Sequence, residues 1–235
     1  MTEPARLALA VFDMAGTTVR DTGVVPEAFS AALAAFGLSA SPERLAAVRG
    51  VSKRDAIGRL VRDQSAGGPD DDATADAVYA AFRAELARAF GAGGVSAVPG
   101  AQPLFAWLRA RGVRVALNTG FDRETQALVL DALGWRSGVV DAIVCGDDVA
   151  LGRPAPYMIF RAMELSHTAA VASVLNVGDT TVDLEAGFNA GCSLNVGVCT
   201  GAHPRERLLG APHTHLVESV ADLPTLLVSL GLTRG

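Results

Sequence analysis

From Pro99 onward the chain alternates short apolar runs with segments of helical period, and this alternation leaves few folds open. Helices are predicted over 103–111, 123–133 and 156–165, with another after Asp183 and a terminal one near 223–230. Between them lie strand-like runs over 113–117, 142–145, 174–177 and 193–198. Strands separated by helices require a mostly parallel sheet with right-handed crossovers, an α/β doubly wound architecture. A further apolar run, 7–12, has the length and turn-bounded character of a buried parallel strand and ends at Asp13.

Between that first strand and the alternating region the sequence is helical and carries no convincing strand. A helix over 26–36 ends at Gly37, Ser41-Pro42-Glu43 opens a second, and Ser52-Lys53-Arg54-Asp55 has the form of a capping box opening a third. After the loop Gly67-Gly68-Pro69, residues 73–90 form a longer helix closed by a glycine-rich turn over 91–94. The expected organisation is a Rossmann-like core, 1–21 and 98–235, with a helical cap, 22–97, joined through short hinges near Thr22 and Ala97.

Half of the 235 residues are hydrophobic, enough to bury a sizeable core. Twenty basic against twenty-five acidic side chains give a net charge of -5, which offers no electrostatic footprint for nucleic acid or an anionic membrane. Small-molecule chemistry is the expectation. Cys145, Cys192 and Cys199 form no C-x-x-C pair and read as buried reduced thiols, consistent with the cytoplasm. The first apolar run is too short for a signal or membrane segment, so a soluble, unexported protein is expected.

Four strand ends carry reactive groups. Asp13 closes the first strand, where open α/β sheets bind ligands. Asn118-Thr119-Gly120 supplies a hydroxyl and loop amides, Gly152-Arg153-Pro154 a fixed cation, and Gly178-Asp179-Thr180-Thr181-Val182-Asp183 two carboxylates four residues apart. Phosphoryl transfer to an aspartate needs those elements: donors for the phosphoryl oxygens, a cation against the developing charge, and oxygen ligands for magnesium. Each also has a plainer reading: an ordinary turn, a surface arginine, a helix cap. Their joint occurrence in this order favours the phosphoryl-transfer site.

This constellation resembles the haloacid dehalogenase-like (HAD) hydrolases over almost the whole chain, with the insertion at the position of their C1 cap. The resemblance implies that Asp13 attacks phosphorus to form an aspartyl-phosphate. It also implies that Asp13, Asp179 and the carbonyl of Ala15 ligate Mg2+ with Asp183 supporting them from behind, and that Thr119, Gly120 and Arg153 bind the phosphoryl group. The phosphatases of that superfamily carry a second aspartate two residues after the nucleophile, which protonates the leaving oxygen. Here that position is Ala15.

Within the superfamily the chain most resembles the phosphonatases, whose first motif also reads Asp-x-Ala-Gly-Thr-Thr. Their third and fourth motifs resemble residues 152–158 and 178–191 here. Phosphonatases carry a cap lysine that forms a Schiff base with the substrate aldehyde, in a setting matched by Gly50-Val51-Ser52-Lys53, and they are homodimers through their caps. Cleaving a carbon–phosphorus bond leaves electrons on carbon, which an iminium can accept as an enamine, so an acid at position 15 is unnecessary. Lys53 at a helix N-terminus would have a lowered pKa and suit either imine formation or an anion clamp; a solvated first-turn lysine is the plainer reading. Three positions depart from phosphonatase: Ala56 for a histidine, Phe121 for a tyrosine and Met14 for a tryptophan.

Three functions follow. The first is a hydrolase of a small organophosphonate such as phosphonoacetaldehyde. The second is a phosphomonoesterase of the phosphoglycolate or sugar-phosphate type, and the third a catalytically weak phosphate-binding protein. Other titratable residues carry less. Asp70-Asp71-Asp72 reads as a solvated turn and helix cap, His213 and His215 lack further ligands for zinc, and His167 and His203 read as surface residues; Asp21 could replace the absent acid by reaching in from the loop after the first motif, but equally suits a hinge turn.

Overall fold

β1 (Leu9–Asp13) is buried along its whole length and sits near the middle of the sheet, because its side chains are apolar in both directions. Ala10 and Phe12 face one layer of helices while Leu9 and Val11 face the other. The structure is a computed structural model that describes residues 6–48, 51–64, 71–91 and 93–232. Gly50, the loop 67–69, Asp70 and Ala92 lie outside the described residues.

The remaining strands are β2 (Arg114–Thr119), β3 (Ala142–Cys145), β4 (Val174–Gly178), β5 (Leu194–Val198) and β6 (His215–Val217). Among the described residues they form one six-stranded parallel sheet in the order β3-β2-β1-β4-β5-β6. The direction of winding reverses between β1 and β4, so a crevice opens beyond their carboxyl ends. Asp13 and Asp179 flank that crevice.

Helices α1 (Val24–Ala34), α2 (Pro42–Ala47), α3 (Lys53–Arg62) and α4 (Asp71–Gly91) form the insertion. In α4 the buried residues Val78, Phe82, Leu86 and Phe90 recur every fourth position and make one apolar stripe, against which Phe29 of α1 packs, its ring tilted and 4.5 Å from that of Phe82. The chain leaves and re-enters the core side by side: Arg20 donates to the Ser96 carbonyl and Val98 to the Thr18 carbonyl, both at 2.9 Å.

In the core, α5 (Ala101–Arg109), α6 (Arg123–Leu133) and α10 (Leu223–Ser229) accompany α7 (Tyr157–Leu165), α8 (Thr181–Ala190) and α9 (Arg205–Leu209). Phe105 links the sheet to its cover, 5.4 Å from Phe12 and 5.3 Å from Trp135. On the opposite face, Leu9, Val11 and Val144 pack with Met158, Ile159 and Ala186 of α7 and α8.

Several local expectations change. β2 runs on to Thr119, so that residue ends a strand rather than following one. The helix expected after Asp183 begins earlier, because Thr180 and Asp183 form the two halves of a capping box and place Asp183 in the first turn. Ser52 precedes α3, but its side chain makes no capping hydrogen bond; separately, the Lys53 amide donates to the Gly120 carbonyl at 3.1 Å. Helix α9 carried too few apolar residues for a periodic signal. Cys145 is buried and Cys192 and Cys199 half-buried, all three free, and burial pushes the Cys145 and Cys192 thiols up to about 12.

Asp122 ties insertion to core. Its Oδ1 accepts the Thr125 amide at 2.7 Å and caps α6, while its Oδ2 accepts the Tyr79 hydroxyl at 2.6 Å and faces Arg83 Nε at 2.9 Å, both from α4. Burial opposes its charge, yet these donors hold its carboxyl below the usual carboxylate range. Asp122→Ala removes a cap and strands two donors, so thermal unfolding should show a loss of about 2 kcal/mol, roughly 4–8 °C in Tm. An unchanged Tm would show that this carboxylate does not hold the two parts together.

Candidate active site

The three acidic side chains at the sheet's crevice are brought together by backbone geometry. Asp13 ends β1, Asp179 follows β4 directly, and Asp183 points back from the first turn of α8. An oxygen of each lies within 4.8 Å of the others, and all three residues are buried. Gly16, at φ +95°, makes this possible: a Cβ there would collide with the Asp179 carboxylate and with Gly201.

Arg153 is the counter-charge. Its Nη1 donates to Asp13 Oδ1 at 2.5 Å and also to Asp183 Oδ1, so one guanidinium orients the residue that faces the cavity and the one behind it. Burial disfavours its charge, but Asp183 and Asp13 hold the guanidinium protonated well beyond its ordinary range. Even with the Lys53 amine nearby, Arg153 does not balance three carboxylates. Burial pushes Asp13 up to about 6 against the pull of Arg153, and burial with repulsion from Asp13 and Asp183 raises Asp179 well above the carboxylate range. Buried oxygen ligands under mutual repulsion are the environment that a hard divalent cation relieves, so the donor set fits Mg2+.

Asp179 is further fixed by Thr17, whose hydroxyl donates to Oδ1 at 3.0 Å, and by the Ala202 amide, which donates to Oδ2 at 2.6 Å. His203, read from sequence as a surface residue, is buried; its Nδ1 accepts the Thr181 amide at 3.0 Å and covers the start of α8. Thr17 lies inside the first motif and was visible as a hydroxyl there. Ala202 was not visible, because a main-chain donor leaves no trace in residue type.

Asp13, Ala15, Thr119, Gly120, Arg153 and Asp179 line one cleft of about 630 Å3, and Lys53 enters it from the insertion. Asp183 is held behind the wall, bonded to Arg153 and to Thr180. The Thr119 hydroxyl accepts the Phe121 amide at 3.2 Å, shaping the loop that follows β2. Asp21 also lines the cleft from its exposed rim.

Lys53 is 9% exposed, with Nζ 5.6 Å from the centre of the Phe121 ring. Burial, reinforced by the Arg153 charge, lowers its amine from 10.5 to about 8 against the attraction of Asp13, Asp179 and Asp183. The solvated first-turn reading is therefore excluded by position. Main-chain contact sets that position: besides the Lys53 amide on the Gly120 carbonyl, Gly120 lies so close to Val51 that a Cβ would come within 2.6 Å of the Val51 carbonyl oxygen.

A family model for haloacid dehalogenase-like hydrolases matches residues 7–191. The phosphonoacetaldehyde hydrolase of Paraburkholderia xenovorans (strain LB400) is 32% identical, the match covering 80% of this chain and 73% of that one. That of Bordetella pertussis (strain Tohama I) is 31% identical, covering 97% and 94%. Among solved structures, a hydrolase from Pseudomonas syringae shares the fold at a TM-score of 0.83 and 23% identity, over 95% of this chain and 99% of its own. With its acidic trio, arginine and threonine gathered at one sheet crevice, the chain belongs to the haloacid dehalogenase-like hydrolases, on their phosphonatase-like branch.

Proposed function

We propose that this hydrolase cleaves the carbon–phosphorus bond of a small carbonyl phosphonate, phosphonoacetaldehyde being the simplest member, by way of an imine on Lys53 and a phosphoryl group on Asp13. The observation that carries the reading is the pairing of a buried, deprotonation-prone amine with a nucleophilic carboxylate in one cleft where position 15 offers no acid. Residues 22–97 act as the cap that brings the amine, and 1–21 with 98–235 as the core that holds phosphorus.

In this mechanism the neutral Lys53 Nζ adds to the carbonyl carbon and the carbonyl oxygen leaves as water, giving an iminium. An Asp13 carboxylate oxygen, aimed by Arg153, then bonds to phosphorus as the carbon–phosphorus bond breaks. The released pair forms an enamine as the iminium nitrogen takes up electrons. Protonation on carbon and hydrolysis return Lys53 and the dephosphorylated carbonyl compound; a second water takes the phosphoryl group from Asp13. Thr119, the Gly120 amide and Arg153 hold the phosphoryl oxygens throughout. Mg2+ bound by Asp13, Asp179 and the Ala15 carbonyl, with Asp183 behind, would supply charge neutralisation between carboxylates and phosphoryl oxygens.

Borohydride added with phosphonoacetaldehyde should inactivate the enzyme and leave the reduced two-carbon adduct on Lys53, read by peptide mass spectrometry. Asp13-dependent turnover of that substrate without an adduct rejects the imine. Turnover of phosphoglycolate or sugar phosphates, largely retained in Lys53→Arg, would establish a phosphomonoesterase instead.

The amine's position near 8 sets a pH dependence. Below that value Lys53 is mostly ammonium and cannot add to a carbonyl; as pH rises through it the nucleophilic fraction grows. The initial rate of adduct formation should therefore increase about tenfold between about pH 7 and about pH 9. Asp13→Ala should lower phosphate release on the order of 10⁴-fold or more while the Lys53 adduct still forms, since imine formation does not use the carboxylate.

A further inference from the structure

The cleft has two chemically opposite ends. At one stand Asp13, Arg153 and Asp179; the other is walled by Val25 and Phe29 of α1, Leu45 of α2, Val48 just beyond it, and Phe121. Lys53 lines the same cleft, within electrostatic reach of Arg153 and Asp13 and 5.6 Å from the Phe121 ring. One cleft thus holds a charged pocket, an amine and an apolar wall, the three kinds of surface that would meet the phosphorus, carbonyl and substituent of a carbonyl phosphonate.

We infer, on the footing of the phosphonate reading above, that the preferred substrate is a 2-oxoalkylphosphonate, a ketone whose carbonyl carries an apolar substituent seated against Val25, Phe29, Leu45, Val48 and Phe121. A hydroxylated tail would give up its water partners against this wall, where the carboxylate of Asp21 lies at the exposed rim and its Oδ1 already accepts the Gly23 amide. Ala56, one turn along α3 from Lys53, is fully buried and adds no polar atom. An aldehyde hydrogen, for its part, covers none of the wall. The side chains of Val25, Phe29, Leu45, Val48 and Phe121 line the same cleft as the charged groups, so a substituent on the carbonyl has apolar surface to cover that a hydrogen does not.

The reaction balances as one water consumed: the 2-oxoalkylphosphonate gives a methyl ketone and inorganic phosphate. Imine formation on Lys53 Nζ expels one water, and hydrolysis of the product iminium takes one back. The carbon–phosphorus pair ends in a new carbon–hydrogen bond with a solvent proton, and the second water receives the phosphoryl group from Asp13. Nothing is oxidised or reduced by an outside reagent.

The test uses the full-length enzyme with Mg2+ and two series. Phosphate release is followed from phosphonoacetaldehyde and from 2-oxopropyl-, 2-oxobutyl- and 2-oxopentylphosphonate. Competitive inhibition is measured with methyl-, butyl- and hexylphosphonate, which lack the carbonyl and report the wall alone. Along the ketones kcat/KM should rise about three- to fourfold for each added methylene, with inhibition constants falling in parallel. Ketones that show no rise with length, or inhibition indifferent to length, beside normal turnover of phosphonoacetaldehyde, overturn the apolar substituent and leave the proposed function standing. Failure to release phosphate from any phosphonate, the aldehyde included, while phosphomonoesters are hydrolysed, overturns both.

Discussion

The buried ion cluster of Asp13, Asp179, Asp183 and Arg153 is the interaction around which the rest of the molecule is arranged. Burying three carboxylates against one guanidinium is unfavourable in isolation, and the raised values at Asp13 and Asp179 express that cost. The parallel sheet provides the compensation: strand ends that converge, a helix whose first turn aims Asp183, and a glycine that lets Asp179 approach. The same unbalanced charge makes the crevice receptive to a divalent cation and, with it, to a phosphoryl group.

Much of this architecture could be read from residue order because the physics is local. Apolar runs of strand length over 7–12, 113–117, 142–145 and 174–177 specify the sheet, and α6 and β3 begin and end where capping and hydrophobic period place them. Seven of the eight residues singled out for the site line one cleft, and Asp183 stands behind it. What stayed hidden depends on tertiary contact. Ser52 has the right residue type for a cap, yet its side chain makes no capping bond, and a core carbonyl, that of Gly120, holds the Lys53 amide. His203 has no neighbours in sequence to mark it, and only the fold carries it to the start of α8. Asp122 stands just before a predicted helix and, beyond capping it, holds the Tyr79 hydroxyl from a distant part of the chain.

Ala15 and Lys53 are best understood together. A catalyst that expels an alkoxide needs a proton donor beside its nucleophile, whereas one that expels a carbanion needs somewhere for electrons to go. Position 15 offers no such acid, and under the proposed function Lys53, on a separate helix, takes the second part. Reactivity would then depend on the insertion meeting the core, and the contacts at Asp122 and at Gly120 are where they meet.

The main-chain hydrogen bond between Lys53 and Gly120 has a consequence for how such an enzyme diverges. Because peptide groups hold the backbone of residue 53 against the loop that follows β2, the side chains around it can change without moving that anchor. The walls of the chamber can then be recoloured, imidazole or phenol giving way to methyl and phenyl, while the helix start that carries residue 53 keeps its address.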